Sequence, residues 1–415
     1  MTDKNKTWSR RDFMKIAGAA GVGAVVSPME RLAGAVAKSE SDVAAQGIVA
    51  KRPFGWSGVD VSILSLGGAL NFMSNQLLLR QALKMGVTSW DSSRNYIGGT
   101  SEKGIGKYFN KFPEDRKKVF LVTKTGQSDP DNMTQHLYES LERMKTDYID
   151  LFLIQAVSNV KKEIKNDFQI WAEKAKTAGK IRLFGFSTHK NMENCLTDAA
   201  QLGWIDGIMA TYNYRLMHTN RMKKAVDACA KAGIGLIAMK TQASFLSNLW
   251  SDLGKETDAA VKLHQQFIDK GFTTEQAKLK SVWENPAIAS ICSHMPNMTL
   301  LQANVSAAVN KTALSVKDKQ LMRQYAWETS CGYCTGCAEI CEEAIAHAVP
   351  ISDIMRYLMY YGNYGDQQQA IRLFNDLPLD TRKRIMHVNY SKAEQCCPQR
   401  IPIAQLMRKA LAKLS

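Results

Sequence analysis

Residues 119–155 read VFLVTKTGQSDPDNMTQHLYESLERMKTDYIDLFLIQ, and this stretch decides the fold. Two short apolar runs, Val119–Lys124 and Ile149–Gln155, flank a segment of helical period, Asn132–Met144. The runs have the length of buried strands, and the segment between them has the length of one helix. This order predicts a β–α–β unit, in which two parallel strands are joined by a crossover helix.

The same alternation recurs along the chain. Helical segments such as Gln76–Met85, Phe168–Ala178 and Arg221–Ala232 separate the runs, and each is followed by a glycine, as expected at a helix C-terminus. Eight such units over about 250 residues predict an α/β fold, a (β/α)₈ barrel. A doubly wound sheet is the alternative, but no glycine-rich phosphate-binding fingerprint follows the first run. The eight runs are Val61–Leu66, Val87–Asp91, Val119–Lys124, Ile149–Gln155, Leu183–Ser187, Gly207–Tyr212, Gly235–Met239 and Ala287–Cys292.

The composition divides the chain into four parts. Residues 1–37 are a predicted signal, 38–50 a small polar linker, 51–312 the barrel, and 313–415 a second, mostly helical domain in which the strand pattern stops. A chain of 415 residues with 45% hydrophobic residues is long enough to bury one large core and a smaller one.

The N-terminal residues predict export. The sequence SRRDFMK at 9–15 resembles the twin-arginine signal, and it precedes a weakly hydrophobic run, Ile16–Ser27, that is too short to span a bilayer. The small residues of Ala35-Val36-Ala37 predict cleavage before Lys38. We therefore expect a periplasmic protein that the twin-arginine translocation machinery carries across the membrane already folded.

The net charge does not point to nucleic acid. The formal charge is +15, and residues 1–37 hold six Lys or Arg and three Asp or Glu, so about +12 remains on the rest of the chain. These cations are scattered rather than clustered with aromatic residues, and the expected compartment holds no nucleic acid. A solvated basic surface is the expected explanation.

Polar residues mark the ends of successive strands. The second run ends in Asp91, the third in Lys124 and the fourth in Gln155, while Tyr96 lies in the loop after the second run. In barrels of this class the reactive groups lie at the C-terminal ends of the strands. Each residue alone has an ordinary explanation, as a turn cap, a solvated lysine or a loop aromatic. On neighbouring strand ends, they predict one catalytic site.

The motifs around these residues resemble those of the aldo/keto reductases. They are WDSS at 90–93 with Tyr96 and GGTSE at 98–102, VTK at 122–124, DYIDLFLI at 147–154, GKIR at 179–182 with FGFS at 184–187, and Tyr212-Asn213. The resemblance covers roughly residues 52–308. It implies an oxidoreductase that acts on a small-molecule carbonyl or alcohol. A tyrosine of that family transfers the proton and a nicotinamide transfers the hydride, which makes Tyr96 the acid/base, Lys124 the cation that lowers its pKa and Asp91 the carboxylate that holds Lys124.

The chain departs from the family at the remaining site positions. Gln155 stands where the family has a catalytic His, and an amide cannot carry a proton. The resemblance assigns nicotinamide contacts to Ser187, Thr188, Met209 and Tyr212, but Thr188 and Met209 replace the usual Asn and Gln.

Residues 293–310 contain no Lys or Arg to hold a cofactor phosphate, although His189 and His294 lie close to these positions. NADP(H) is thus one expectation. The other is a barrel that has lost nicotinamide-dependent catalysis and serves as an electron-transfer or ligand-binding subunit.

Six of the nine cysteines lie in the last hundred residues. The spacing Cys331-x₂-Cys334-x₂-Cys337-x₃-Cys341 is typical of a [4Fe–4S] site. Zinc is the alternative, but structural zinc usually takes two Cys-x₂-Cys pairs a dozen or more residues apart. The pattern therefore predicts a small, mostly helical iron–sulfur domain after the barrel.

The tail also resembles the ferredoxin-like extension of some aldo/keto reductases, in IMRY at 354–357 and CPQRIPI at 397–403. In two-cluster ferredoxins the fourth cysteine of a motif precedes proline and binds the other cluster. This comparison predicts one cluster held by Cys331, Cys334, Cys337 and Cys397, with Cys341 as the alternative fourth ligand. Such a cluster would pass electrons to a redox partner protein or would staple the tail.

Overall fold

The computed structural model describes residues 47–126, 129–243, 262–263, 265–267, 269–271 and 273–415. The predicted signal and cleavage site lie outside the described residues, as does most of the predicted linker. The barrel and the helices that follow it belong to one unit, Gly47–Ser415. In the described part of the chain, no helix has the length and apolar character that a membrane span requires.

Eight parallel strands close into a barrel, which confirms the predicted (β/α)₈ fold. Each strand pairs with its neighbour in the chain, and the last pairs with the first. Consecutive pairing around a closed ring places all eight C-terminal ends at one rim. The strands are β3 (Leu64–Gly67), β4 (Ser89–Asp91), β5 (Phe120–Thr125), β6 (Ile149–Ile154), β7 (Ile181–Thr188), β8 (Gly207–Thr211), β9 (Gly235–Met239) and β10 (Ile288–His294).

The first predicted strand, Val61–Leu66, is wrong as a single element. Its first half belongs to β2 (Asp60–Ser62), which pairs antiparallel with β1 (Lys51–Pro53), and its second half is the barrel strand β3. The sequence VSILSL at 61–66 carries no turn residue that would mark the break.

The hairpin β1–β2 fills the N-terminal end of the barrel. The Phe54 ring is fully buried and its centroid lies 5.4 Å from that of Phe120. A Cβ on Gly207 or Gly235 would lie 2.6 or 2.5 Å from the Phe54 ring, so the first residues of β8 and β9 must be glycines for this ring to fit. Arg52 fixes the hairpin by donating to the carbonyl oxygens of Trp283 and Ile288, at 2.6 and 3.0 Å.

Helices surround the barrel and bury one face each against the strands. The helix before β6, for example, begins after Asp129, whose carboxylate accepts from the amide of Asn132, and buries Met133, Leu137 and Leu141. The helices are α1 (Gln76–Lys84), α2 (Thr100–Lys111), α3 (Pro130–Met144), α4 (Val160–Glu163), α5 (Asn166–Thr177), α6 (Met192–Ala199), α7 (Asn220–Lys231), α8 (Thr274–Trp283) and α9 (Met298–Val309).

The C-terminal segment is helical, as predicted, and has its own apolar core, which includes Ile354, Leu358, Phe374 and Met407. Such a core stabilises the segment independently of the barrel's interior. Its helices are α10 (Val316–Glu328), α11 (Ala338–Glu343), α12 (Ile351–Gly362), α13 (Gln367–Asn375), α14 (Leu379–Arg384), α15 (Ser391–Cys396) and α16 (Ile403–Leu414).

The cysteine loop, residues 331–337, lies on the C-terminal rim of the barrel. The Asn191 amide, just after β7, donates to the Gly336 carbonyl at 2.8 Å. Gly336 has a φ of +80°, and a Cβ there would lie 2.4 Å from the carbonyl oxygen of His189. Lys190 adds an ion pair to Asp353 of α12 at 2.7 Å. The segment that carries the cysteines therefore covers the end of the barrel at which active sites form.

Candidate active site

Asp91, Lys124 and Tyr96 meet at the C-terminal rim. Asp91 is the last residue of β4 and Lys124 lies near the end of β5, so the parallel register places the two side chains side by side. The Lys124 ammonium forms an ion pair with Asp91, donates to the Ser92 carbonyl at 2.8 Å and lies 5.0 Å from the centroid of the Tyr96 ring. The structure thus brings together the three residues that the sequence predicts.

The loop after β4 is held firmly in place. The Ser92 and Arg94 amides donate to the carbonyls of Val122 and Lys124, which continues the pairing with β5 beyond the strand. The loop after β3 passes so close that a Cβ on Gly68 would lie 1.8 Å from the Asp91 carbonyl oxygen, and only glycine fits there.

The GGTSE motif explains how Tyr96 is positioned. The buried Glu102 carboxylate accepts from the Thr123 hydroxyl of β5 at 2.7 Å and pairs with Arg143 of α3 at 3.4 Å. Arg143 also donates to the carbonyl of Arg94, within the loop that carries Tyr96. The motif therefore ties this loop to β5 and α3, and its role in the structure is positioning.

Burial dominates the ionisation of this cluster. Burial raises the pKa of the Tyr96 phenol above its ordinary value, although the Lys124 ammonium acts in the opposite direction. Burial alone lowers the pKa of Lys124, but Asp91 and Tyr96 outweigh it and the pKa of Lys124 is raised. At neutral pH the phenol is therefore protonated and the lysine charged.

The other predicted site residues do not converge in the same way. The Gln155 side chain accepts from the Ser93 hydroxyl at 2.9 Å, which places it beside the loop of Tyr96. The Ser187 hydroxyl accepts from the Ala156 amide and that of Thr188 donates to the Lys190 carbonyl. Met209 packs in the barrel's apolar interior, and the Tyr212 hydroxyl accepts from Asn285.

A cavity lies between the barrel rim and the helical segment, and we call it the mouth cavity. It measures about 30 Å³, and none of the four predicted nicotinamide contacts lines it. Its lining residues come from the ends of β7, β8 and β9, from the cysteine loop and from α12: His189, Thr211, Lys240, Tyr333, Cys334, Thr335, Gly336, Ser352, Met355, Arg356 and Met359.

Four polar residues near this cavity escaped the sequence prediction. Lys240 follows β9 directly, so the strand-end rule applied to every strand would have found it. Cys292, in the last barrel strand, is half-buried and hydrogen-bonds Asp91. Arg356 and Tyr360 come from α12, and no local pattern reports that this helix covers the barrel.

Four of the five predicted cluster ligands line a second, apolar cavity: Cys334, Cys337, Cys341 and Cys397. Cys331 does not line it. Cys334 belongs to the walls of both cavities, so the thiols lie next to the mouth of the barrel. Among the described residues, no group of three or more His, Cys, Asp or Glu is arranged to hold a single metal ion.

Comparison with known proteins shows which family the chain resembles. Residues 63–309 match the model of the aldo/keto reductase family. The aldo-keto reductase yakc [NADP(+)] of Schizosaccharomyces pombe is 30% identical over 178 residues, which are 40% of this chain and 51% of that protein. L-galactose dehydrogenase of Arabidopsis thaliana is 22% identical over 257 residues, 59% of this chain and 80% of that protein. The chain thus spans about half the length of the first of these relatives.

A solved structure shows the same fold. The aldo-keto reductase AKR11C1 from Bacillus halodurans superposes with a TM-score of 0.55 at 19% identity, over 66% of this chain and 96% of that one. The family match takes in more than half of the chain. The chain therefore belongs to the aldo/keto reductase family.

Proposed function

We propose that the protein interconverts a carbonyl compound and the corresponding alcohol, with Tyr96 as the proton donor and acceptor. The observation that carries this proposal is the buried Lys124–Asp91 ion pair, whose ammonium lies 5.0 Å from the centroid of the Tyr96 ring. A cation at this distance stabilises the negative charge that develops on the phenol oxygen as the proton leaves. Asp91 keeps that cation in place.

The raised pKa of Tyr96 favours one direction of the reaction. A protonated phenol can donate to a carbonyl oxygen without first collecting a proton, whereas alcohol oxidation needs the phenolate. Gln155 lies beside the same loop and its amide would donate a hydrogen bond to the substrate oxygen without transferring a proton. Reduction is therefore the direction that these residues serve at neutral pH.

A Tyr96→Phe variant tests the role of the phenol. We expect turnover of small aldehydes and ketones to fall by about 10²-fold or more, which is the usual contribution of a general acid. Tyr138→Phe is the matched control, because Tyr138 is 52% exposed on α3. Unchanged turnover in Tyr96→Phe would remove this residue from the mechanism.

The predicted nicotinamide contacts fit that cofactor in part. Aldo/keto reductases typically use NADP(H), and the Ser187 and Thr188 hydroxyls each make one hydrogen bond to the backbone, which leaves them able to contact a ligand as well. Met209 is apolar and packs in the barrel interior, so it offers no polar group to the nicotinamide amide. A bound nicotinamide would supply the hydride.

The second candidate function is a barrel that has lost nicotinamide-dependent catalysis and serves as an electron-transfer or ligand-binding subunit, and the thiol-lined cavity beside the barrel mouth supports it. Fluorescence titration of the anaerobically purified protein with NADPH separates the two candidates. Saturable binding with NADPH-dependent turnover supports the nicotinamide enzyme. Turnover with reduced viologen dye and no NADPH binding supports electron transfer from a protein partner, and loss of both leaves a ligand-binding subunit.

The thiol-lined cavity would hold one [4Fe–4S] cluster. The donor set fits, because Cys334, Cys337, Cys341 and Cys397 surround one apolar space and thiolate is the preferred ligand of iron–sulfur clusters. A bound cluster transfers single electrons. The spacing of the motif favours Cys331 for one ligand position, while the lining of the cavity favours Cys341.

Iron and acid-labile sulfide analysis of Cys331→Ser and Cys341→Ser decides this position. The cavity predicts that Cys341→Ser loses the cluster and that Cys331→Ser retains it, with Cys396→Ser as the matched control for an exposed thiol. The opposite result would restore the ligand set that the spacing predicts. Absence of iron from the anaerobic wild-type protein would refute the cluster.

Export by the twin-arginine route fits a protein with such a site. Free thiols tend to pair as disulfides in an oxidising periplasm, whereas a folded protein is exported with its cluster already inserted. The support for this proposal is the sequence SRRDFMK at 9–15.

A further inference from the structure

Lys240 lines the mouth cavity without a carboxylate partner in the part of the chain that the structure describes, and burial lowers the pKa of its ammonium. It follows β9 directly, with a left-handed φ of 54°. Its ammonium contacts the Tyr360 hydroxyl at 3.4 Å and lies 4.6 Å from the centroid of that ring. Within the described ranges of the chain it makes no ion pair with a carboxylate.

Arg356 brings a second donor to the same cavity. One of its terminal nitrogens donates to Asp353 at 2.7 Å, but its Nε–H is buried and has no partner among the described residues. The other oxygen of Asp353 already accepts from Lys190 at 2.7 Å, so one carboxylate serves two cations. A buried donor without an acceptor costs free energy that a suitable ligand would recover.

Around the mouth cavity, four cationic side chains share two carboxylate partners. Four cations, Lys124, Lys190, Lys240 and Arg356, are close enough to act on the His189 ring, and together with burial they lower its pKa so far that the ring is neutral. The carboxylates paired with these cations are Asp91 and Asp353.

Glu342 is the next acid, and it accepts from the Ser352 amide at 3.0 Å. A cluster bound to the neighbouring thiolates would add further negative charge beside this cavity. The features that point to a ligand are therefore local: Lys240 has no carboxylate partner and the Arg356 Nε–H has no acceptor among the described residues.

We infer that the mouth cavity binds a carboxylate of the substrate, held by the Lys240 ammonium and the Arg356 Nε–H. This inference rests on the proposed function for the reacting end of the molecule, at Tyr96. The cavity of about 30 Å³ has room for roughly two water molecules, which suits a carboxylate group.

Tyr360 connects the two ends of such a substrate. Its hydroxyl contacts Lys240, and it lies close enough to Tyr96 to raise the pKa of that phenol. Tyr96 does not line the mouth cavity, so a substrate would have to extend past Tyr360 to place a carbonyl at Tyr96 and a carboxylate at Lys240. The substrate class is a small oxo acid, or the hydroxy acid formed from it.

Binding of pyruvate and of pyruvamide, its neutral analogue of equal size, tests the inference. Dissociation constants come from ligand-observed NMR on the anaerobically purified full-length protein, with no turnover required. We expect pyruvamide to bind at least about 10-fold more weakly than pyruvate, since a hydrogen bond to a charged group contributes about that factor or more. Equal binding of the two probes, or no binding of pyruvate, would overturn the inference.

Variants at Lys240 show whether this residue is responsible for carboxylate binding. Lys240→Met should weaken pyruvate binding at least about 10-fold and leave pyruvamide unaffected, and Lys240→Arg should restore most of the loss. Lys224→Met, at an exposed lysine of α7, is the matched control and should bind like wild type. Unchanged pyruvate binding in Lys240→Met overturns the assignment.

The proposed function and this inference can fail independently. If Tyr96→Phe keeps full turnover while pyruvate still binds through Lys240, the proposed function is wrong and the inference stands. Conversely, Tyr96-dependent turnover of neutral carbonyls without selective pyruvate binding would refute this inference alone.

Discussion

Replacing Lys124 by methionine should destabilise the protein more than any surface substitution. The Lys124 and Asp91 side chains are 2% and 3% exposed, so the change leaves a carboxylate buried without its cation. Removal of one partner of a buried ion pair costs about 3–5 kcal/mol, a large share of the roughly 5–15 kcal/mol that holds a typical protein folded. Methionine keeps most of the apolar stem, so little of this loss comes from packing.

Urea denaturation of anaerobic samples measures the effect as a lowered midpoint. Lys161→Met is the control, because Lys161 is 75% exposed in its pair with Asp198 and should contribute only about 0–1 kcal/mol. In the double variant Asp91→Asn/Lys124→Met no carboxylate is stranded, and we expect about 2–3 kcal/mol of the loss to be recovered. A Lys124→Met protein with the wild-type midpoint would refute the buried ion pair.

Three further predictions follow from the rim and the N-terminus. Steady-state rates of carbonyl reduction should stay level from about pH 6 to about pH 9 while alcohol oxidation rises with pH, because burial raises the pKa of Tyr96 and keeps the phenol protonated; a reduction rate that falls within this range would contradict the assignment. Gly68→Ala should lose about 1–3 kcal/mol in urea denaturation, since its Cβ would lie 1.8 Å from the Asp91 carbonyl oxygen, whereas Gly47→Ala meets nothing within 4 Å and should change little. Replacing Arg10 and Arg11 by lysines should retain the protein in the cytoplasm on cell fractionation, and normal export would reject the twin-arginine route.

Most of the barrel is predictable from the sequence because buried parallel strands are short, apolar and evenly spaced. The run Gly235–Met239 is a strand with those bounds, and Ile149–Gln155 ends one residue late. The failure at Val61–Leu66 has a physical cause. The last two residues of the hairpin strand, Val61 and Ser62, are buried like the whole of β3, so hydrophobicity alone gives no boundary between the two strands.

The site is predictable only where it depends on the strands. Asp91 and Lys124 stand at strand ends and were found by position, and Tyr96 was found by the motif that surrounds it. Arg356 and Tyr360 lie on α12, more than two hundred residues after Lys124 in the sequence. Their convergence with Lys240 depends on how the C-terminal segment packs on the rim, which is a long-range contact with no local signature.

The Phe54 ring has a consequence for access. The ring closes the N-terminal end of the barrel, and a hydrogen bond from Arg52 holds the hairpin against the last strand. The barrel interior is packed with side chains, so solutes approach the triad from the C-terminal rim, which the cysteine-bearing segment covers. A molecule that reaches Tyr96 therefore passes residues from the last hundred of the chain. Exchanging this segment between relatives would change which molecules can bind at the rim and would leave the barrel strands unaltered.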